Sequence, residues 1–323
     1  MLVESPSHPR AVLPNRECAV GFGRGRHVMS VPRKVLVTGA TGQQGGAVAR
    51  CLLERGHRVR ALVRFPEAPA ARELERLGAV LVPGRFEDFA SLVRATAGVD
   101  AVFGVTTPFD GIAAEAMKGL ALVDAAREVR VAHFVLTSAC NADRGTGIPS
   151  FESKRRVEEH LARSGVPFTI VAPAYFLENL LTPFSVSALG ASTFSRWMPV
   201  ERRVQYIAVE DIGRFCVLAF ERRESFLGRR VDLAGDALDG TQAAAILSRV
   251  LGRPIHPVEL PLASFPAQGE LGQNVAATLA WMARTGFSAD VAGLRREFPE
   301  VGWRSFESWV RAHRAALLGT PGA

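Results

Sequence analysis

Thr38-Gly39-Ala40-Thr41-Gly42-Gln43-Gln44-Gly45 sets three glycines at three-residue spacing, directly after the apolar run Val35-Leu36-Val37 and directly before a helical pattern through Val48, Leu52 and Leu53. In that strand–turn–helix setting each glycine has its own physical role: a tight turn, close approach of backbone to a diphosphate, and close packing of helix on strand. The amides and dipole at the start of the helix favour negative charge. Gly39, Thr41, Gly42, Gln43, Gln44 and Gly45 are therefore candidate phosphate-binding residues for a dinucleotide. The next strand ends in Ala61-Leu62-Val63-Arg64, with no carboxylate before Glu67. A carboxylate there would take the ribose 2′-hydroxyl of NAD; Arg64 suits a 2′-phosphate, and the expected cofactor is NADP(H).

Such a turn works only when a sheet and its helices hold it. From Lys34 onward short apolar runs alternate with amphipathic segments. Strands are expected at Val35–Val37, Arg58–Val63, Val80–Val82, Ala101–Val105, Phe134–Leu136 and Phe168–Val171. Helices are expected between them, among them Glu67–Leu77, Ala113–Val129 and Ser153–Ser164. Near-continuous apolar strands separated by helices predict an α/β fold, a doubly wound, Rossmann-type parallel sheet covered on both faces. After Pro173 the pattern loosens into two strand candidates, Val204–Val209 and Arg230–Ala234, and helices over Glu210–Glu221, Thr241–Leu251, Leu271–Thr285 and Ser305–Leu317. The expected organisation is a tail over 1–30, a dinucleotide-binding domain over 31–174, and a smaller, irregular α+β C-terminal domain over 175–323 that returns some strands to the sheet. The tail has no sustained periodicity and reads as disordered, with Met29 as the expected biological start.

Composition narrows the function classes. The chain has 323 residues, 48% of them hydrophobic and 22% charged, enough to bury a core without staples. No apolar run is long enough to span a bilayer. Four scattered cysteines and seven dispersed histidines predict neither a disulfide framework nor a metal site, and fit a reducing, cytoplasmic setting. The net charge of +7 comes from arginines interleaved with Glu and Asp, only Lys34, Lys118 and Lys154 being lysines. It reads as a solvated surface, with no nucleic-acid or membrane partner expected.

Taken together these stretches resemble the NmrA/HSCARG-like branch of the atypical short-chain dehydrogenase/reductase superfamily. The likeness is carried by Val37 to Gly45, Phe103-Gly104-Val105-Thr106, Ser153-Lys154 with Val157-Glu158-Glu159, Gly165 to Val171, Pro173 to Phe176 with Glu178-Asn179, and Val209 to Gly213. It implies NADP(H) in the cleft, with Arg64 on the 2′-phosphate, Thr106 along the nicotinamide half, Lys154 in the active-site lysine slot near the nicotinamide ribose, and Tyr175 and Phe176 flanking the nicotinamide. The family's Gly-Asp after the third strand is Gly84-Arg85-Phe86 here, so Phe86 is left as the group to cover the adenine. Ser138 matches the superfamily's serine slot loosely and is otherwise expected to cap a turn; Asp211 is expected to cap the helix that follows it.

Reductases of this superfamily commonly pair Lys with Tyr four residues earlier; here that position is Ser150. A serine hydroxyl is a much poorer acid than a phenol. The leading expectation is accordingly a cofactor-ligated regulatory protein that senses NADP(H) and changes its contact with a protein partner. The alternative is an NADPH-dependent reductase of a small quinone, enone or carbonyl, with Lys154, Tyr175 or solvent supplying the proton. Either a monomer or a homodimer is compatible with both.

Overall fold

The six apolar runs form the strands β1 (Lys34–Val37), β2 (Arg58–Val63), β3 (Val80–Pro83), β4 (Ala101–Gly104), β5 (His133–Thr137) and β6 (Phe168–Pro173) in a computed structural model that describes residues 32–181 and 187–319. The amino-terminal tail and the Met29 start lie outside those residues. Between the strands run α1 (Gln43–Glu54), α2 (Pro69–Arg76), α3 (Phe89–Thr96), α4 (Ile112–Glu128) and α5 (Pro149–Arg163). Then follow β7 (Tyr175–Phe176), β8 (Ser187–Leu189), β9 (Thr193–Arg196), β10 (Val204–Ile207), α6 (Val209–Glu221), α7 (Arg223–Phe226), β11 (Arg230–Leu233), β12 (Asp236–Leu238), α8 (Gly240–Leu251), β13 (His256–Glu259), α9 (Gly269–Arg284), α10 (Val291–Glu297), α11 (Phe306–Ala312) and α12 (Arg314–Leu318).

The main sheet has seven strands in the order β11-β6-β5-β4-β1-β2-β3, with every neighbouring pair parallel. Strand order reverses between β1 and β4, which opens a crevice at their carboxyl ends. Alternation along each strand sends side chains to opposite faces. Val35 and Val37 join Val48, Leu52, Ile212 and Phe215 in a core with α1 and α6. Leu36 joins Val102, Leu122, Phe134 and Leu161 in a second core with α4 and α5. Burial on both faces is why β4 and β5 read as unbroken apolar runs.

The C-terminal segment gives β11 to the edge of this sheet and builds two small sheets, ordered β12-β10-β7 and β13-β9-β8. A third core holds them, with Phe194, Tyr206, Leu247, Trp281, Phe306 and Trp309 buried together. The short strands β7, β8, β9, β12 and β13 were not legible: each has two to four residues and none carries the run of three apolar residues that marks the equally short β1 and β4. Helix α5 starts at Pro149, four residues before its expected start, because proline's fixed φ suits the first helical position. The helix expected over Ser305–Leu317 is two, divided at His313.

Candidate functional site

In a parallel sheet all carboxyl ends share one edge. Gly39, Arg64, Phe86, Thr106 and Ser138 follow β1 to β5 in turn, so topology alone brings their backbones to that edge. At the reversal point Thr38 joins the two strands: its amide donates to Phe103 O (3.0 Å), and its hydroxyl accepts from the Val105 amide (2.8 Å). Gly39 has φ +58°, and a Cβ there would lie 2.6 Å from Val105 Cγ1. Gly42 N donates to Gly39 O (2.9 Å) and closes the turn.

Helix α1 then starts with no side chain capping it and no acidic residue in its first turn. Gly46 N donates to Gly42 O, so the amides of Gln43, Gln44 and Gly45 precede that helical hydrogen bond. A Cβ on Gly45 would lie 2.6 Å from both Gly39 C and Thr38 O, so only glycine lets the helix approach the strand this closely. An exposed turn at Gly42 and Gln43, an uncapped helix start and a backbone cradle suit a diphosphate. Gln44 does something else: its side chain is buried and donates to Thr137 Oγ1 (2.6 Å), bracing α1 against the end of β5.

Arg64 is exposed at the end of β2, its guanidinium 6.0 Å from the Phe65 ring centre. Phe86 is half-buried and packs on the core that includes Leu62 and Leu92, so much of its ring faces inward. Beside it the turns after β3 and β4 are tied together by Lys118, which pairs with Glu87 (3.2 Å) and with Asp110. Lys118 holds the Asp110 carboxyl below its usual range, with Arg64 adding to the effect.

Lys154 stands in α5 and donates to Glu115 Oε1 (2.8 Å) on α4. Glu115 is fully buried, whereas the Lys154 side chain keeps 17% exposure. Thr106 is buried after β4. Tyr175 and Phe176 are half-buried in β7, and the Tyr175 ring meets Tyr206 edge-on at 6.0 Å. Ser150 is buried, and its amide donates to Asn274 Oδ1 (2.9 Å). One turn earlier on α9, Glu270 accepts from the Ile112 amide (3.4 Å). A single face of α9 thus caps α4 and α5, the two helices that carry Glu115 and Lys154.

Two expectations change role. The Ser138 hydroxyl donates to Glu158, which also pairs with Arg230 (2.9 Å); burial pushes the Glu158 carboxyl up. Ser138 is thereby part of a buried polar network. Asp211 does not cap α6, because Ala208 holds that place. Asp211 Oδ2 accepts from the Arg304 amide (2.8 Å) and anchors the C-terminal segment. The start of α6 is met by Glu178, both of whose oxygens accept from the Val209 amide at 3.1 Å, while Trp309 Nε1 donates to Oε1 (3.0 Å). Burial raises the Glu178 and Asp211 carboxyls to about 7 each. Sequence reasoning missed Glu115, and only an acidic residue in the first turn of a largely apolar helix could have signalled it.

Among the described residues no group of three or more His, Cys, Asp and Glu is placed to hold a metal ion, and no helix is long and apolar enough to cross a membrane. Cys51, Cys140 and Cys216 are buried, and burial pushes the Cys140 thiol up to about 12, which makes it a poor nucleophile.

A profile of the NmrA-like family matches residues 32–297. The NAD(P)H azoreductase of Xenophilus azovorans is 30% identical over 292 residues, which cover 88% of this chain and 99% of that protein. The (4-alkanoyl-5-oxo-2,5-dihydrofuran-3-yl)methyl phosphate reductase of Streptomyces griseus subsp. griseus is 32% identical over 294 residues, with coverage of 88% and 99%. Among solved structures, that of NmrA, a negative transcriptional regulator, in complex with NADP matches with a TM-score of 0.72 at 21% identity, covering 87% of this chain and 94% of that one. That last likeness is one of fold.

Proposed function

The chain belongs to the NmrA-like family, and on that premise we propose that it binds NADP(H) at the carboxyl edge of the sheet and uses it to reduce a small quinone, enone, carbonyl or azo acceptor. The observation that carries the reading is the uncapped start of α1 set against β1 by Gly45. Two reductases aligned over nearly their whole length favour turnover. The amides of Gln43 to Gly45 would take the diphosphate, Arg64 the 2′-phosphate, and Lys154 would stand beside the nicotinamide ribose. The bound cofactor supplies the hydride. What the chain supplies is orientation and, at Lys154 Nζ, proton donors that Ser150 cannot match.

The test is to mix protein, NADPH and a panel of quinones, enones, aldehydes and azo dyes, and to follow the absorbance of the reduced cofactor. Oxidation that needs both protein and acceptor supports the reading. Saturable NADPH binding with no oxidation across the panel overturns it in favour of the second reading, a cofactor-ligated regulatory protein. That second reading is favoured by Ser150, which fills the tyrosine position, is buried and has its amide tied to Asn274.

Arg64 carries the choice of cofactor. A charge-assisted contact to phosphate contributes about 1.5–3 kcal/mol, so Arg64→Ala should weaken NADPH binding roughly 10- to 100-fold and leave NADH binding unchanged. Calorimetric titration of both nucleotides checks this; equal affinities for the two in the unaltered protein would remove the role assigned to Arg64.

A further inference from the structure

We propose that Glu115 is the positioning residue for Lys154, acting through a helix contact that fixes the two side chains in register. The proposal rests on the site reading above, in which Lys154 faces the cofactor. Glu115 sits in the first turn of α4 and Lys154 in the second turn of α5. One turn beyond Glu115 is Gly119, and a Cβ there would lie 2.5 Å from Val157 Cγ2. Val157 is itself one turn beyond Lys154. The bare backbone at Gly119 therefore receives the Val157 side chain, draws α4 onto α5, and sets Glu115 opposite Lys154.

The chemistry of the pair argues against a purely structural role. Glu115 is fully buried, yet among the described residues its Oε2 has no hydrogen-bond partner. A buried carboxylate oxygen without a donor is costly, and apolar residues of similar volume would hold two helices together at least as well. What such residues could not do is fix an ammonium. Nζ has three donors; one is given to Glu115 Oε1, and the partial exposure of Lys154 leaves the rest for a ligand in the cleft. A free lysine on a flexible stem would lose that aim.

The test is a double-mutant cycle on NADPH binding, followed by cofactor fluorescence, with Glu115→Leu, Lys154→Met and the pair together. Because it reads binding, it reports whether or not the chain turns the cofactor over; the acceptor panel reads turnover separately. We expect Glu115→Leu to weaken NADPH binding about 10-fold and Lys154→Met at least as much, with the double variant no weaker than Lys154→Met alone. Glu115→Gln, whose amide oxygen can still accept from Nζ, should recover part of the loss seen in Glu115→Leu. The double variant also removes the buried carboxylate that Lys154→Met leaves without its ammonium, so its thermal melt should lie above that of Lys154→Met. Gly119→Ala should weaken NADPH binding as Glu115→Leu does, without altering either charge. Losses that multiply in the double variant, or unchanged affinity in Glu115→Leu, would overturn the proposal. A protein that binds NADPH with the expected cycle but oxidises none of it would overturn only the reductase reading.

Discussion

Gly45→Ala should lower both the stability of the fold and its affinity for NADPH. The added methyl would stand 2.6 Å from Gly39 C and Thr38 O, backbone atoms of the turn itself. No rotamer change relieves such a clash, so α1 has to move off β1. Overpacking of this kind costs on the order of 3 kcal/mol, which in a chain of this length lowers Tm by roughly 5 °C. The same movement carries the Gln43–Gly45 amides away from the phosphates, and affinity for NADPH should fall about 100-fold or more, the loss of two or so charge-assisted hydrogen bonds. Gly42→Ala is the internal control for stability alone, since Gly42 is itself a candidate phosphate-binding residue: its φ of −93° is open to any residue, and its Cβ would meet only Gly39 O, at 3.2 Å. Calorimetry should show Gly42→Ala melting near the unaltered protein and Gly45→Ala well below it, and fluorescence titration should set the affinity of Gly45→Ala against that of the unaltered protein. If Gly45→Ala melts and binds like the unaltered protein, the cradle is not where the cofactor sits.

That cradle could be read from the sequence because it is made of backbone. A glycine is informative wherever the chain needs space or a positive φ, and the strand and helix on either side announce themselves by their periods. The doubly wound sheet was legible for the same reason: Val35, Leu36 and Val37 are all buried, two toward α1 and one toward α4, and only burial on both faces keeps such a run apolar. Lys154 was found by its place in a motif. Its partner was not, because Glu115 lies 39 residues away on another helix, and no local pattern encodes which turn of α4 meets which turn of α5. Gln44 was legible only in its backbone: the sequence places its amide in the glycine turn, but nothing local says that its side chain goes to Thr137.

The Glu178-Asn179 pair, which carries part of the family resemblance, shows the same limit. Nothing local says that Glu178 is buried against Val209 and Trp309, since those residues come from the start of α6 and from α11. The segment is distinctive in sequence because it solves a packing problem: a carboxylate meets the positive start of α6 and takes the indole N–H of a fully buried tryptophan. Asp211 does the equivalent for the Arg304 amide. Both acids tie the C-terminal segment to the sheet side of the molecule, and both do so at the cost of burying a charge.

Glu178→Gln should therefore change the pH dependence of stability, and the sign is fixed by the direction of the shift. Burial raises the Glu178 carboxyl from its ordinary value to about 7, so the folded state holds the proton more tightly than the unfolded chain does. The contribution is most favourable below about pH 4.5 and is lost as pH rises toward 7, a change on the order of 3 kcal/mol. Asp211, raised to about 7 by burial, acts in the same window and direction. His133 opposes them: burial holds its imidazole down at about 3, so stability from that group increases as pH rises to about 6.5. The unaltered protein should consequently lose stability from pH 5 to pH 8, because two carboxyls titrate in this window and His133 offsets only part of their effect, and only below about pH 6.5. A glutamine at 178 can still accept from Val209 and Trp309 through its carbonyl oxygen and carries no charge to desolvate. Relative to the unaltered protein, Glu178→Gln should gain stability steadily from pH 5 to pH 8, read as a growing difference in urea midpoint; Asp211→Asn should behave likewise. A constant part of the difference, added to the slope, would reflect only the altered hydrogen bonds. It is the slope that reports a buried carboxylate ionising, and a difference independent of pH would mean that Glu178 is already ionised at pH 5, with solvent or a cation reaching it beneath Trp309.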